Sequence, residues 1–173
     1  GYRQNYIEGW RLKRQNLATF EVNQNFRFVQ GDIRDQAALS SLLDKERPDA
    51  ILHLAARAGV RPSLKDPELY MDVNVHGTDV ILRAGHHAGV KHFVLASSSS
   101  VYGERTDGRP FGEDDPLSKP ESPYADTKQK MEYLAKTFQE KSGATVSCLR
   151  FFTAYGPAQR PDMAIYKFVE AVE

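Results

Sequence analysis

The stretch HFVLASSSSVYG, residues 92–103, decides the fold, because an apolar run there ends abruptly in four consecutive serines. A short apolar run that contains aromatic and β-branched side chains is typical of a buried strand. Four serines in a row are poor core material. We therefore predict a strand over His92–Ala96 whose carboxyl end opens into a polar segment.

Similar short apolar runs alternate with longer segments of helical period along the chain. The other predicted strands are Phe26–Val29, Ala50–Leu54 and Thr145–Leu149. The predicted helices are Tyr2–Phe20, Gln36–Leu43, Pro67–Ala88, Tyr124–Glu140 and Ala164–Val172. This alternation indicates βαβ units in an α/β fold, and apolar strands favour a parallel sheet covered on both faces. Ligands of such sheets bind at the carboxyl ends of the strands.

The composition of the chain limits the classes of binding partner and the cellular compartment that we expect. The 173 residues are 40% hydrophobic, enough for one packed domain, and the formal net charge of zero does not favour nucleic acid as a partner. No stretch approaches the roughly 20 apolar residues that span a bilayer, and no signal peptide is visible in a chain that starts at Gly1. The lone Cys148 cannot form an internal disulfide. We expect a cytoplasmic protein without a membrane segment.

No metal site is predicted. His86, His87 and His92 lie close in sequence, but no cysteine or carboxylate stands at zinc-like spacing beside them. Cationic side chains suit the carboxyl end of a helix, which is the better interpretation of the first two.

Tyr124 and Lys128 lie four residues apart and share one face of a predicted helix. A lysine cation beside a phenol stabilises the phenolate, which makes the tyrosine usable as a general base. Ser122 fits the N-cap and Pro123 the first helical position, so the pair would lie close to the strand ends. Taken alone, such a pair is also compatible with a solvated helix face.

The serines after the strand offer a second reactive group. If the strand continues, alternate hydroxyls, those of Ser98 and Ser100, face the same side. A hydroxyl there can donate a hydrogen bond to a substrate oxygen or to the phenolate. In isolation the same serines are more typical of a polar turn after a strand.

Together these segments resemble the extended short-chain dehydrogenases/reductases, the nucleotide-sugar epimerases and dehydratases. The matching segments are Gly31-Asp32-Ile33, His53-Leu54-Ala55-Ala56, Asn74 to Thr78, Ser97–Gly103, Ser122 to Lys128 and Leu149-Arg150-Phe151-Phe152. The resemblance implies a Rossmann-like doubly wound parallel sheet, with residues 1–150 as part of an NAD(P)-binding domain and residues 151–173 as the start of a substrate-binding region. The family's glycine-rich phosphate loop is absent, so we predict an internal fragment that lacks the first strands and most of the carboxyl-terminal substrate domain.

The resemblance extends to the UDP-glucuronate 4-epimerases through the tail RFFTAYGP at residues 150–157, the segment Arg160 to Ala164, and Ala58 to Arg61. It implies an NAD-dependent enzyme that converts UDP-glucuronate to UDP-galacturonate by transient oxidation at C4. A nucleotide-sugar 4,6-dehydratase or another family member is the alternative, although Ser99 and Ser100 stand where dehydratases of the family carry an acidic pair. Outside the enzymes, the chain could be an inactive remnant or a dinucleotide-binding module.

The same resemblance implies roles for individual residues. Tyr124 is the catalytic base, Lys128 holds the nicotinamide ribose, and Ser98 is the hydroxyl partner. The cofactor-binding residues are Asp32, Ile33, Leu54, Ala55, Ala56, Asn74, Tyr124 and Lys128. The residues that bind the UDP-sugar are Ser98, Ser100, Thr153 and Arg160, of which Arg160 would face the sugar carboxylate. The helices over residues 67–88 and 124–140 would form a homodimer of the full-length protein, and the choice between NAD and NADP stays open.

Overall fold

The computed structural model describes residues 2–159 and 163–172, and residues 2–10 through their backbone alone. The chain divides into two compact units. One is Gly31–Thr153, and the other combines Gly1–Gln30 with Ala154–Glu173. The sheet and most candidate site residues belong to the first unit, while the division into domains at residue 150 stays a prediction.

The described elements alternate between helix and strand. The helices are α1 (Tyr2–Glu21), α2 (Gln36–Glu46), α3 (Val60–Ser63), α4 (Pro67–Met71), α5 (Gly77–His87), α6 (Pro123–Ser142) and α7 (Ala164–Glu170). The strands are β1 (Ala50–His53), β2 (His92–Ala96) and β3 (Thr145–Leu149). A π-helical segment, Asp72–His76, joins α4 to α5, and a 3₁₀ helix, Ser99–Tyr102, follows β2. No helix in the described part of the chain has both the length and the apolar character needed to cross a membrane.

The three strands form a parallel sheet in the order β1-β2-β3. Phe93 of β2 stands beside Ile51 of β1 and Val146 of β3 in the register. Parallel neighbours need a crossover connection, which α4 and α5 supply before β2 and α6 supplies before β3. The predicted α/β arrangement with a parallel sheet is confirmed.

One face of the sheet is packed against α5 and α6. Phe93 and Leu95 of β2 are 1% and 0% exposed, and they form one cluster with Leu82 of α5 and Met131 of α6. Leu52, whose side chain alternates to the other face, is 62% exposed. The packed face therefore fixes where α6 begins relative to the ends of the strands.

The prediction of one continuous helix over residues 67–88 is wrong in its middle, where five residues are π-helical. An apolar period locates a helix but does not reveal a turn that holds one residue more. At the end of this turn the backbone lies close to its neighbours, since a Cβ on Gly77 would stand 2.7 Å from Cδ1 of Ile33. The wider turn places Asn74 in the interior, where it is 1% exposed.

The predicted strand over Phe26–Val29 is also wrong. These residues follow α1 without regular structure, and Phe26, Phe28 and Val29 are 37%, 43% and 46% exposed. A strand exists only through a ladder to a neighbour, and no described strand pairs with this run. The apolar pattern of residues 26–29 is typical of a strand, but it does not show whether a neighbouring strand is there to pair with it.

Candidate active site

The polar segment after β2 brings Ser98 and Ser100 together in a tight turn. Backbone pairing with residues 149–151 continues through residues 97–99, after which the chain enters the 3₁₀ helix, so the expected strand continuation ends at Ser98. The Ser98 hydroxyl oxygen accepts hydrogen bonds from the amide nitrogen and the hydroxyl of Ser100, at 3.2 and 3.0 Å. A helical turn, and not the alternation of a strand, therefore joins the two hydroxyls.

The Ser98 hydroxyl keeps its own proton free. Ser98 accepts two hydrogen bonds but donates none to any residue in the described ranges. Its side chain is half-buried at the carboxyl end of the central strand. A ligand oxygen beside this strand end would meet a ready donor.

The start of α6 is fixed by an N-cap, by a proline in the first turn and by one long-range hydrogen bond. Ser122 is the N-cap, its hydroxyl oxygen accepts from the amide of Ala125 at 3.1 Å, and Pro123 occupies the first turn, which confirms the predicted helix start. The amide of Tyr124 donates to the hydroxyl of Ser63 at 3.1 Å. This contact ties the first turn of α6 to α3, at a sequence separation that no local pattern reveals.

The phenol of Tyr124 is positioned by packing and not by hydrogen bonds. Its ring stands edge-on to the buried Tyr70, with 6.4 Å between centroids and an interplanar angle of 87°. The Tyr124 hydroxyl has no hydrogen-bond partner among the described residues. Nζ of Lys128 lies 5.9 Å from the centre of the Tyr124 ring. The expected pair on one helix face is therefore present, with its phenol oxygen free.

Lys128 is a buried cation at the end of β2. It is 3% exposed, and its Nζ donates a 2.6 Å hydrogen bond to the carbonyl oxygen of Ala96. Burial lowers the pKa of Lys128 to about 8, and the nearby Cys148 and Glu132 act in the opposite direction. An ammonium group has three protons, so the remaining two can serve a bound ligand.

Asn74 holds the segment after β1 against α6. Its side-chain oxygen accepts from the amide of Arg57 at 2.8 Å, while its Nδ2 donates to the carbonyl of Arg57 and to the hydroxyl of Thr127, both at 3.1 Å. The Thr127 hydroxyl in turn donates to the carbonyl of Tyr124 at 2.8 Å. Because all its polar atoms are engaged, Asn74 can influence a cofactor only through the backbone that it holds.

A second polar chain begins at His53, the last residue of β1. The Thr78 hydroxyl donates to the carbonyl of Asn74 at 2.6 Å, so the 3.1 Å contact between Thr78 and Nε2 of His53 is donated by the histidine. Burial, with a smaller contribution from the charge of Lys128, lowers the pKa of His53 to about 4. His53 is therefore a neutral structural histidine, and Thr78 and Thr127 support the site through the hydrogen bonds described above.

Asp32 and Ile33 lie on the surface beside the π-helical segment. The carboxylate of Asp32 accepts from both the backbone and the guanidinium of Arg34, and these hydrogen bonds lower its pKa to about 2. Arg34 also bonds to Asp72 at 2.6 Å. Asp32 is half-exposed, so it keeps a solvent-facing side while its position is fixed by Arg34.

The remaining candidates lie in exposed segments. Leu54, Ala55 and Ala56 follow β1 with exposed side chains, and Leu54 is 58% exposed. Thr153 is exposed at the end of the larger unit. Arg160 lies outside the described residues.

These groups are suited to moving a proton at a ligand beside the end of β2. A free phenol and a buried ammonium lie on the first turns of α6, and a free hydroxyl lies two residues beyond the Ala96 carbonyl that the ammonium binds. In open parallel sheets this edge is where ligands bind. The fold thus defines a Rossmann-like α/β protein, and its tyrosine–lysine pair is a candidate proton-transfer site.

Comparison with known proteins gives the family. The family model for GDP-mannose 4,6-dehydratase matches residues 3–173. The chain belongs to this family of extended short-chain dehydrogenases/reductases, which confirms the resemblance found in the sequence. A UDP-glucuronate 4-epimerase of Thermodesulfobacterium geofontis is 43% identical over 159 residues, which are 92% of this chain and 49% of that protein.

Solved structures show the same fold. The UDP-glucuronic acid 4-epimerase from Bacillus cereus, crystallised with UDP-glucuronic acid and NAD, superposes with a TM-score of 0.82 at 38% identity, over 93% of this chain and 50% of that one. The dTDP-glucose 4,6-dehydratase from Streptomyces venezuelae, with NAD bound, gives a TM-score of 0.84 at 36% identity, over 92% and 48%. The chain spans about half the length of the relatives that it matches.

Proposed function

We propose that the whole protein that carries this chain is an NAD-dependent enzyme that epimerises a UDP-sugar at C4, with UDP-glucuronate as substrate and UDP-galacturonate as product. The observation that carries the proposal is the free phenol of Tyr124 beside the buried cation of Lys128, whose Nζ binds the carbonyl of Ala96, two residues before the free hydroxyl of Ser98. The named activity of the 43% identical relative supports the choice of substrate.

The residues divide the chemistry as follows. Tyr124, as phenolate, removes the proton of the C4 hydroxyl, and the Ser98 hydroxyl donates to the same oxygen as its negative charge develops. Lys128 stabilises the phenolate electrostatically. Bound NAD⁺ would accept the C4 hydride and return it to the opposite face of the sugar. Tyr124 then gives the proton back, and because the hydride also returns to the sugar, the reaction has no net oxidation.

The residues present fit a dinucleotide. The exposed segment Leu54–Ala56 leaves its backbone and small side chains open at the end of β1, and Asn74 holds the following peptide in place. Lys128 has two protons left for ribose hydroxyls. Asp32 and Ile33, on the surface beside the π-helical segment, are proposed to meet the adenine end. We propose this set as the NAD site.

A carboxylated sugar is favoured by the sequence after β3. Arg160 can bind a carboxylate through two parallel hydrogen bonds, which a neutral hexose does not need. Ser100 and Thr153 are proposed to bind sugar or diphosphate oxygens. A cytoplasmic location stays a prediction from the sequence.

A 4,6-dehydratase is the second candidate, favoured by the likeness to the Streptomyces venezuelae enzyme. Elimination of water from C5 and C6 needs an additional acid and an additional base near Ser98. The residues that follow it are Ser99 and Ser100, whose hydroxyls are weak in both roles. The site therefore favours epimerisation.

The test is a Tyr124→Phe variant of the whole protein with UDP-glucuronate and NAD⁺, with products separated by chromatography. We expect turnover to fall about 10²- to 10⁴-fold, because the general base is removed. Tyr133→Phe, the same change at a 75% exposed position of α6, serves as the control and should act like wild type. Unchanged turnover in Tyr124→Phe would refute the catalytic role, and a dehydrated 4-keto-6-deoxy product in wild type would favour the dehydratase.

We also propose a homodimer through the outer faces of α4, α5 and α6. Met71, Val75 and Leu134 line shallow grooves on this side of the unit and offer apolar surface to a second copy. Light scattering coupled to gel filtration measures the mass directly. A Val75→Glu change, at a residue that lines both grooves, should convert the dimer to a monomer, and a monomeric wild type would refute the proposal.

A further inference from the structure

A partly buried ion pair lies one helical turn beyond Lys128 and has no role in the chemistry proposed above. Glu132 of α6 receives hydrogen bonds from Nε of Arg150 at 3.1 and 3.3 Å and from its Nη2 at 2.8 Å. The side chains of Arg150 and Glu132 are 19% and 12% exposed. Bonds from two nitrogens to two oxygens fix the relative orientation of both groups, which a single contact would not do.

The same carboxylate also holds the end of β2. The hydroxyl of Ser97 donates to Oε1 of Glu132 at 2.5 Å, and Ser97 is 4% exposed. The amide of Ser97 bonds to the carbonyl of Leu149, the residue before Arg150, at 2.8 Å. Glu132 therefore fastens the ends of β2 and β3 to α6 through one side chain.

The contact between Ser97 and Glu132 determines the direction in which the side chain of Ser98 points. Ser98 has extended backbone angles, φ −154° and ψ 146°, so its side chain points away from the side on which Ser97 meets Glu132. A rotation of the strand end about its axis would turn both hydroxyls together. Holding Ser97 on the helix side thus holds the Ser98 hydroxyl on the opposite side.

Arg150 extends the same support to the connection between β2 and α6. Its Nη1 donates to the carbonyl of Glu113 at 2.9 Å, and its guanidinium lies 4.8 Å from the centre of the Tyr102 ring. Tyr102 stacks on Phe111, with 4.6 Å between centroids and 12° between planes. The segment that follows Ser100 is therefore anchored to the guanidinium that Glu132 orients.

We propose that Glu132 and Arg150 are positioning residues that aim the Ser98 hydroxyl at the reacting oxygen, acting through Ser97 and through the Tyr102 stack. The inference rests on the proposed function, since it assigns the role to the hydroxyl that assists Tyr124. Neither residue touches the substrate. A partly buried ion pair is weak evidence of stabilisation by itself, whereas its bonds to two strand ends give it a defined geometric task.

The test uses the whole protein and separates kcat from KM. Glu132→Gln keeps the size of the side chain and an acceptor for Ser97 but loses the charge that binds Arg150. We expect kcat to fall about 10- to 100-fold, as for a small displacement of a reacting group, with KM and the Kd for NAD within about threefold of wild type. Glu140→Gln, the same change at an exposed position of the same helix, should leave kcat unchanged.

Ser97 supplies a second pair of variants that keep the ion pair intact. Ser97→Ala removes the hydroxyl and should lower kcat, whereas Ser97→Thr keeps it and should restore most of the activity. If Glu132→Gln fails to fold by circular dichroism, this pair decides the question. A purely structural role predicts lower stability in all these variants with kcat unchanged in the folded enzyme.

The inference is overturned if folded Glu132→Gln and Ser97→Ala both keep kcat within twofold of wild type while Tyr124→Phe is inactive. An increase in KM at constant kcat would overturn it as well. If Tyr124→Phe itself keeps full turnover, the proposed function fails and the inference fails with it, so the two failures are distinguished by that single variant.

Discussion

Replacing Asn74 with alanine should destabilise the protein and loosen the segment after β1. The Asn74 side chain is 1% exposed and forms three hydrogen bonds, two to the backbone of Arg57 and one to the hydroxyl of Thr127. An alanine would break all three and leave a small cavity. The effect should reach α6, because Thr127 also bonds to the carbonyl of Tyr124.

The magnitude follows from how easily water replaces the lost partners. A buried hydrogen bond contributes about 1 kcal/mol net, and a group left unpaired inside costs about 1–3 kcal/mol. Arg57 is exposed, so water can reach its amide and carbonyl, whereas the Thr127 hydroxyl is 0% exposed, loses the bond from Asn74 without replacement by water, and keeps only its own bond to the carbonyl of Tyr124. We therefore expect a loss of about 2–3 kcal/mol in the free energy of unfolding, with most of it from the Thr127 side.

Urea unfolding of the whole protein measures this loss as a lower midpoint at unchanged slope. Asn23→Ala, at an exposed asparagine that accepts one local hydrogen bond, is the control and should change stability by less than about 0.5 kcal/mol. NAD titration should show weaker binding by Asn74→Ala, since the backbone of the proposed cofactor segment is released. A loss below about 0.5 kcal/mol for Asn74→Ala would refute the reasoning.

Three further predictions concern buried groups of the same unit. Thr78→Val, which keeps the shape but removes the hydroxyl between His53 and Asn74, should lower stability by about 1–3 kcal/mol in thermal unfolding, whereas Thr78→Ser should stay near wild type. Because the pKa of His53 falls to about 4 in the folded state, the unfolded state binds more protons between pH 6.5 and 4, so stability should fall as the pH drops through that window, by up to about 3 kcal/mol. His53→Gln should lack that part of the slope in urea midpoints measured against pH. Because the pKa of Lys128 falls to about 8 in the folded state, the unfolded state binds more protons between pH 8 and 10.5, and stability should rise with pH over that range. Lys128→Met should be no less stable than wild type at neutral pH, while its turnover is lost.

The sequence predicted the elements that a local pattern specifies. The three strands of the sheet were visible as apolar runs, and Ser122 with Pro123 marked the start of α6, because capping depends on neighbours in the chain. The strand predicted over Phe26–Val29 failed because pairing depends on a partner elsewhere. The π-helical turn at Asp72–His76 was hidden because a wider turn barely changes the apolar pattern.

The candidate site shows the same limit. Tyr124 and Lys128 could be paired from their spacing, since residues four apart on a helix are neighbours. The contact of Tyr124 with Ser63 and that of Asn74 with Thr127 span 61 and 53 residues, and no periodicity encodes them. The sequence therefore predicted the reactive groups, but it did not predict the distant residues that hold them in place.

The hydrogen bonding of the supporting residues differs from that of the reactive groups, and this difference supports the assignment of the site. Among buried side-chain polar atoms of the described residues, only Nε2 of Gln159 lacks a partner, so the interior around Asn74 and Thr78 is fully paired. The phenol of Tyr124 and the proton of Ser98 are unpaired, and both lie where half-buried side chains meet solvent at the strand ends. Groups without partners on a rigid, fully bonded support can exchange water for a ligand without rearranging the fold. A site that served only stability would gain from pairing these two hydroxyls, and their freedom is what a ligand requires.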